Sequence, residues 1–453
     1  MRRIAVIGSG QAGLLTAHGL LKAGYQVTVY SDKTPEQFLK NSRPTGTAGR
    51  FELSLQYERE LGLNFWEREA PDIEGVDLVF CMQPRQPFIT LRGRFEKPAL
   101  AIDLRLQSVR WLEELTRRGG ILSFETVDIP RLDAIAAEHD LTIIAAGRGP
   151  LADLFPRDDK RSVYDKPQRN LAMVIVKNAS MNFPHLSYRP VKFNFIGTSG
   201  EAFWVPYYHK DLGHTWNLVF EAKPGGANDR FEGVKTGAEA VRVGKELIRD
   251  LFPWDWEWAK DMELADENGW LVGKITPTVR RPVGCLPSGR AVTGVGDTLM
   301  AFDPISGQGA NNGNKMARNL VECITQRGDA PFDAEWMEVT FERFYNDHGV
   351  AAYTFNNLLL EPITDAGKEL LIAQYGSTGQ PGSRNARQAI ANAFCENFVD
   401  PRSLTDAFLD MDKARRFIAS QSGKSWRWSA AGGRFSVIKD QLGQKLGLTS
   451  VAN

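Results

Sequence analysis

The feature that most constrains this chain is Gly8-Ser9-Gly10-Gln11-Ala12-Gly13, set directly behind the apolar run Ile4-Ala5-Val6-Ile7. Such a run suits a strand buried in a parallel sheet. Leu14, Leu15, Ala17, Leu20 and Leu21 then recur at helical spacing, Gly24 ends that helix, and Tyr25 to Tyr30 reads as a second strand. The three glycines serve different ends. Gly8 permits the tight turn, Gly10 lets backbone approach a pyrophosphate, and Gly13 lets helix and strand close up. The helix start, with Gln11 and Ala12 in its first turn, offers unpaired N–H groups and the positive dipole end to phosphate. Between two strands, the pattern predicts a dinucleotide site. The acid that usually closes the second strand on ribose hydroxyls would be Asp32, one residue late; a solvated loop acid is the equal alternative.

A second glycine-rich turn lies far downstream. Ala291 to Asp297 reads as a strand ending in Gly296-Asp297, and Asp303-Pro304-Ile305-Ser306-Gly307-Gln308-Gly309-Ala310-Asn311 then opens a helix through Met316, Leu320 and Cys323. The segment has no GxGxxG of its own, so it fits a second touch on the same cofactor better than a second nucleotide. The Asp297 carboxylate would accept hydrogen bonds from ribityl hydroxyls. The N–H groups around Gly307–Asn311 would face a flavin ring as it gains negative charge.

Bulk properties exclude several classes. Lys+Arg and Asp+Glu both number 55 in 453 residues, so no global field draws nucleic acid or anionic lipid, and neither nucleic acid nor a membrane is expected as a partner. The four cysteines are scattered without a CxxC pair, which fits a reducing cytosol and argues against a metal site. No apolar run reaches the ~18–20 residues of a membrane span, and a strand at Ile4 leaves no room for a signal peptide. A cytoplasmic location is expected.

The Gly-Asp pair followed by Asp-Pro-x-x-Gly-Gln-Gly-Ala-Asn resembles the second FAD segment of the class A-type aromatic hydroxylase fold. In that fold an arginine opening the helix after Ala101-Ile102-Asp103-Leu104 reaches the cofactor, which points to Arg105; a plain surface arginine is the alternative. Single-component members take hydride from NAD(P)H with an Asp-Gly motif after a mid-chain strand. Here Leu141–Ala145 runs into Ala146-Gly147, with alanine for the acid. The chain to about residue 420 is similar to the oxygenase components of the styrene and indole monooxygenases. The resemblance rests also on Val27–Asp32, Ala101–Arg105, Asp165-Lys-Pro-Gln168, Tyr353–Asn357 and Glu396-Asn-Phe398.

This resemblance implies FAD, supplied reduced by a separate NAD(P)H-dependent flavin reductase. It implies O2 activation as a C4a-(hydro)peroxyflavin, and oxygenation of an aromatic alkene, an indole-like compound or a sulfide. Thr47, Arg50 and Asn311 are the implied contacts to the activated flavin. Styrene-type members carry Asn, Val and His in the loop over the flavin, where this chain has Gly46, Ala48 and Arg50; the substrate is left open. A single-protein flavin dehydrogenase or oxidase, or a non-catalytic FAD carrier, are the competing readings.

The expected fold class is α/β. A Rossmann-like FAD-binding domain (1–70, 100–170, 280–330) interleaves with an antiparallel-sheet substrate domain (71–99, 171–279). A helical region (331–418) and a tail (419–453) follow, the tail serving as a docking segment or a homodimer arm. Val191–Phe195, Ala202–Tyr208 and Thr215–Phe220 read as aromatic-rich strands. Trp254-Asp-Trp-Glu-Trp258 resembles the WxWxIP motif of flavin-dependent halogenases without its Ile-Pro, and is expected to pack a helix end. His209 and His214 are read as structural.

Overall fold

The computed structural model describes residues 1–46, 49–180, 186–383, 385–423 and 425–445. They divide into two compact units: 1–68, 102–167 and 275–353; and 69–101, 168–274 and 354–453. The helical stretch after 331 therefore splits at Tyr353, and everything beyond it, tail included, belongs with the second unit.

The first unit is built on a six-stranded sheet, in the spatial order Val283–Cys285, Ala291–Gly294, Leu141–Ile144, Arg3–Ile7, Gln26–Ser31, Ile121–Phe124. All pairings are parallel except the Val283–Cys285/Ala291–Gly294 hairpin. Ile4, Ala5, Val6, Ile143 and Ile144 are fully buried, as continuous apolar strands of a covered parallel sheet should be. The helix Gln11–Lys22 packs along Gln308–Arg327. Because the central strands are parallel, Ile7, Ser31, Ile144 and Gly294 end at one edge, where ligands bind in open α/β sheets.

One boundary differs from the sequence reading. The strand from Ala291 stops at Gly294, and Gly296–Thr298 forms a 3-10 turn, because Gly296 takes a left-handed φ of 66°. The helix carrying Arg105 starts at Leu104, where the Asp103 side chain caps it by accepting from the Arg105 N–H.

The second unit holds a large sheet, ordered Glu263–Leu264, Asn170–Lys177, Gly213–Ala222, Gly200–His209, Pro190–Ile196, Ile73–Gln83, Gln86–Ala101. Its register puts Phe193, Phe203, Val219 and Met173 on one face. There Phe193 stacks on Phe203 at 4.5 Å between centroids, and Phe398 from the helix Ala386–Val399 closes on Phe193. The opposite face, with Trp204, Trp216 and Phe220, packs on the helix Gly237–Leu251 and on Trp258.

Two tryptophans of the Trp254–Trp258 run have structural duties. The Trp254 indole donates to Asn194 at 2.8 Å, and Trp258 lies under the buried ammonium of Lys192. Lys192 in turn pairs with Asp77 and Asp255. His209 Nε2 meets Asp266 at 2.7 Å and His214 meets the Glu69 carbonyl, both structural contacts.

Candidate cofactor site at the carboxyl edge of the parallel sheet

The first turn behaves as its glycines demand. Gly8 has φ of 115°, and a Cβ there would stand 2.4 Å from the Ala145 carbonyl oxygen. A Cβ on Gly13 would meet the Gly8 carbonyl oxygen at 2.3 Å and the Ala145 Cβ at 2.9 Å. Gly10 is different in kind: nothing lies within 4 Å of its missing Cβ. Two of the three glycines are therefore consumed by packing, and the middle one borders open space.

The second turn arrives at the same place. A Cβ on Gly296 would stand 2.9 Å from the Ala12 Cβ, and one on Gly313 would stand 3.4 Å from it. Gln11 Nε2 donates to Asn314 Oδ1 at 2.6 Å, pinning the two helices near their starts. Around Asp297, missing Cβ positions on Gly147 and Gly309 both fall 3.9 Å from its side chain. The Gly147 N–H donates to Thr298 Oγ1 at 3.1 Å. Gly8–Gly13, Gly147, Gly296–Asp297 and Gly307–Asn311 thus converge.

Asp297 is exposed, yet the surrounding protein holds its carboxyl above the ordinary carboxylate range, with Arg148 and Arg280 pulling the other way. Arg280, whose burial lowers its own pKa, was not legible as a neighbour, because nothing in its sequence surroundings marks it.

Helix capping is uneven. Asp103, Asp128, Thr236 and Asp333 cap the helices they precede. Gln11–Lys22 and Gln308–Arg327 begin at Gly10 and Gly307 with neither a capping side chain nor an acid in the first turn. Gly307 is left-handed, at φ of 61°, and Pro304 opens the 3-10 turn before it, capped by Asp303. Gln308 is buried behind that turn, and Gly309 and Ala310 form the helix's first turn. Two helix starts therefore present N–H groups and positive dipole ends.

The cradle fits a dinucleotide carrying a flavin. Gly10 and the first helix start suit a pyrophosphate, Asp297 suits polyol hydroxyls, and the Gly307–Asn311 start suits an electron-accepting ring.

Other candidate residues take different duties. Arg50 is buried and its Nε donates to Glu58 at 2.5 Å. Asn314 Nδ2 also donates to Glu58, at 3.3 Å, so Arg50, Glu58, Asn314 and Gln11 form one chain of contacts. Burial pushes the Glu58 carboxyl up while Arg50 opposes it. The Asn311 amide donates to the carbonyls of Gly49 and Gly307, both at 2.7 Å, and its oxygen accepts from the Phe51 N–H. Asn311 thus fastens the 49–51 segment to the helix start.

Arg105 is buried and grips Asp103 with two bonds, 3.0 and 2.7 Å long. Asp32 is exposed beside Lys33, whereas Ser31 is buried and its hydroxyl bonds Ser9 of the glycine turn at 2.7 Å. Ser31, the hydroxyl residue that precedes Asp32 in the stretch carrying the resemblance, thus bonds back to the glycine turn. Thr47 lies outside the described residues.

Comparisons with known proteins fit this geometry. Residues 147–257 match a family described as "Styrene monooxygenase A putative substrate binding domain", and residues 1–87 match "Putative NAD(P)-binding". A styrene monooxygenase StyA of Pseudomonas fluorescens is 26% identical over 414 residues, covering 90% of this chain and 95% of its own. Among solved structures, the flavin-dependent brominase Bmp2 superposes with a TM-score of 0.63 at 14% identity, covering 91% of this chain and 99% of its own. The flavin-dependent halogenase CmlS does so at 0.61 and 16%, covering 97% of this chain and 77% of its own. At these identities the structural likenesses speak for the fold alone.

Proposed function

Since this chain belongs to the styrene monooxygenase family, we propose that it is the oxygenase component of a two-component, FAD-dependent monooxygenase. It takes reduced FAD from a separate NAD(P)H-dependent flavin reductase and inserts one oxygen atom from O2 into an apolar aromatic substrate. Aromatic alkenes, indole-like compounds and sulfides are the substrate class. The observation that carries this reading is the meeting of the two glycine-rich segments around an open Gly10 and an accessible Asp297.

Gly8, Gly10, Gln11, Ala12 and Gly13 form the pyrophosphate end. Gly147, Asp297, Pro304, Gly307, Gln308, Gly309, Ala310 and Asn311 form the ribityl and ring end. Asp32 stands where the adenosine ribose would lie. When bound and reduced, FAD supplies the electrons and the site of oxygen activation. The protein's part is to orient it, to offer backbone N–H groups where negative charge develops, and to keep water away. Arg50, Asn311 and Arg105 serve as positioning residues on this reading: each holds backbone or an acid that shapes the cradle.

Reduction by a partner is supported by Ala145-Ala146-Gly147, where the resemblance would place an acid for direct NAD(P)H use. The Ala145 carbonyl and Cβ are closed over by Gly8 and Gly13. The test is equilibrium titration with oxidised and with dithionite-reduced FAD. Tighter binding of the reduced form is expected, together with rapid oxygenation of indole when a generic flavin reductase is added. A yellow cofactor that survives purification and is reduced by NADPH without a partner protein would overturn the two-component reading.

A further inference from the structure

The tail forms a helix, Trp426–Lys445, with two unlike faces. One face packs inward. Ala430 is buried, a Cβ on Gly433 would stand 1.9 Å from the Ile372 carbonyl oxygen, and Asp440 accepts from the Tyr375 hydroxyl at 2.8 Å. Arg434 and Gln441 tie the flanks to Glu369 and to the Phe88 carbonyl. The helix is therefore fixed in rotation, with its opposite side outward.

That outward side is apolar. Trp428, Phe435, Ile438 and Leu442 are 74%, 71%, 59% and 56% exposed, and they recur at steps of seven, three and four, a continuous stripe along one side. Aromatic side chains carry ~150–250 Å² each, so Trp428 and Phe435 alone leave on the order of 300 Å² in water. A stripe of this size marks an interaction surface rather than scattered exposure.

Charge decides what covers it. Over Trp426–Lys445 itself there are four Lys or Arg against one acid, a net +3, although the whole protein is neutral. Arg427, Arg434 and Lys439 flank the stripe. A second copy pairing stripe to stripe would set these cations against one another across the seam. An anionic lipid surface instead matches both halves of the pattern: apolar side chains enter the headgroup boundary while Lys and Arg meet the phosphates.

We propose that Trp426–Lys445 docks the protein on an anionic bilayer surface, lying in its plane. None of the described helices is long and apolar enough to cross it. The neutral overall charge that argued against a lipid partner conceals this segregation. An apolar aromatic substrate, if the reading above holds, concentrates in the same bilayer; lipid binding itself does not depend on that reading.

The test is co-sedimentation of the full chain with vesicles of phosphatidylcholine alone and of phosphatidylcholine mixed with phosphatidylglycerol. Binding to the anionic vesicles is expected at low salt and should weaken as salt rises. Phe435→Glu/Ile438→Glu should weaken it at least ~10-fold, as should Trp428→Ser, which keeps the test open if the double variant folds poorly. Val339→Glu, at an equally exposed apolar site elsewhere, should leave binding unchanged. Three outcomes would overturn the proposal: no sedimentation with anionic vesicles, binding indifferent to the stripe variants, or a dimer in ultracentrifugation that the same variants dissolve while vesicle binding is absent.

Discussion

Ala12 and Gly296, far apart in sequence, touch: a methyl group on Gly296 would stand 2.9 Å from that of Ala12. The helix that begins at the first glycine turn is thereby packed against the turn that presents Asp297. On the proposed reading, the two halves of the cofactor site are held together by a contact that leaves no room for a side chain on Gly296.

Gly296→Ala should therefore damage the site. It adds the clash and forces a left-handed φ on a residue with a Cβ, at a cost of about 1–3 kcal/mol. Fluorescence titration should show FAD affinity falling at least ~10-fold. Unchanged affinity would mean that the two turns do not share a ligand.

The glycines of the first turn should separate by readout. Gly13→Ala meets backbone at 2.3 Å and should lower the melting temperature. Gly10→Ala meets nothing and should leave it nearly unchanged while weakening cofactor binding. Equal effects of both variants on melting, with none on binding, would reduce the turn to a packing device.

Arg50 and Glu58 are both buried, so Arg50→Met should strand a carboxylate and cost roughly 3–5 kcal/mol in urea melts. The double variant Arg50→Met/Glu58→Leu should lie closer to wild type than Arg50→Met alone. Were Arg50 a contact to the reacting flavin instead, the single variant would lose turnover and keep its stability.

His18 lies fully buried in the first helix, its Nε2 against the Trp111 carbonyl, and burial lowers its pKa to about 4. The folded form thus binds its proton less readily than the unfolded chain, where the ordinary value is about 6.5. The stability this gives is complete above pH ~6.5 and is lost as pH falls toward 4, by roughly 3 kcal/mol in all. Chemical denaturation of wild type and His18→Gln across that range checks it: the slope should flatten in the variant.

The parts of this molecule that read clearly in sequence are those governed by local chemistry. Ile4–Ile7, the glycine turn and its helix carry a pattern that has one structural meaning. Gly296-Asp297 and Gly307–Asn311 were legible because glycine, proline and asparagine at fixed spacing demand special backbone. What stayed hidden is which of several neighbours a buried side chain turns to. Nothing near Arg50 announces Glu58, nothing near Arg105 says that it turns to Asp103, and nothing near Ser31 announces Ser9. The tail, read as a docking segment or a homodimer arm, is helical over Trp426–Lys445, and Gly433 lets that helix lie directly against Ile372.

The central claim is that reduced flavin from outside, together with O2, is sufficient for this chain to oxygenate an apolar aromatic compound. The most direct measurement supplies photoreduced FAD under 18O2 with styrene or indole, and follows the product by mass spectrometry. One 18O atom per product molecule is predicted, formed without NAD(P)H and lost in Gly296→Ala. Absence of labelled product, together with reduction of oxidised FAD by the substrate under anaerobic conditions, would contradict the claim and make the protein a dehydrogenase.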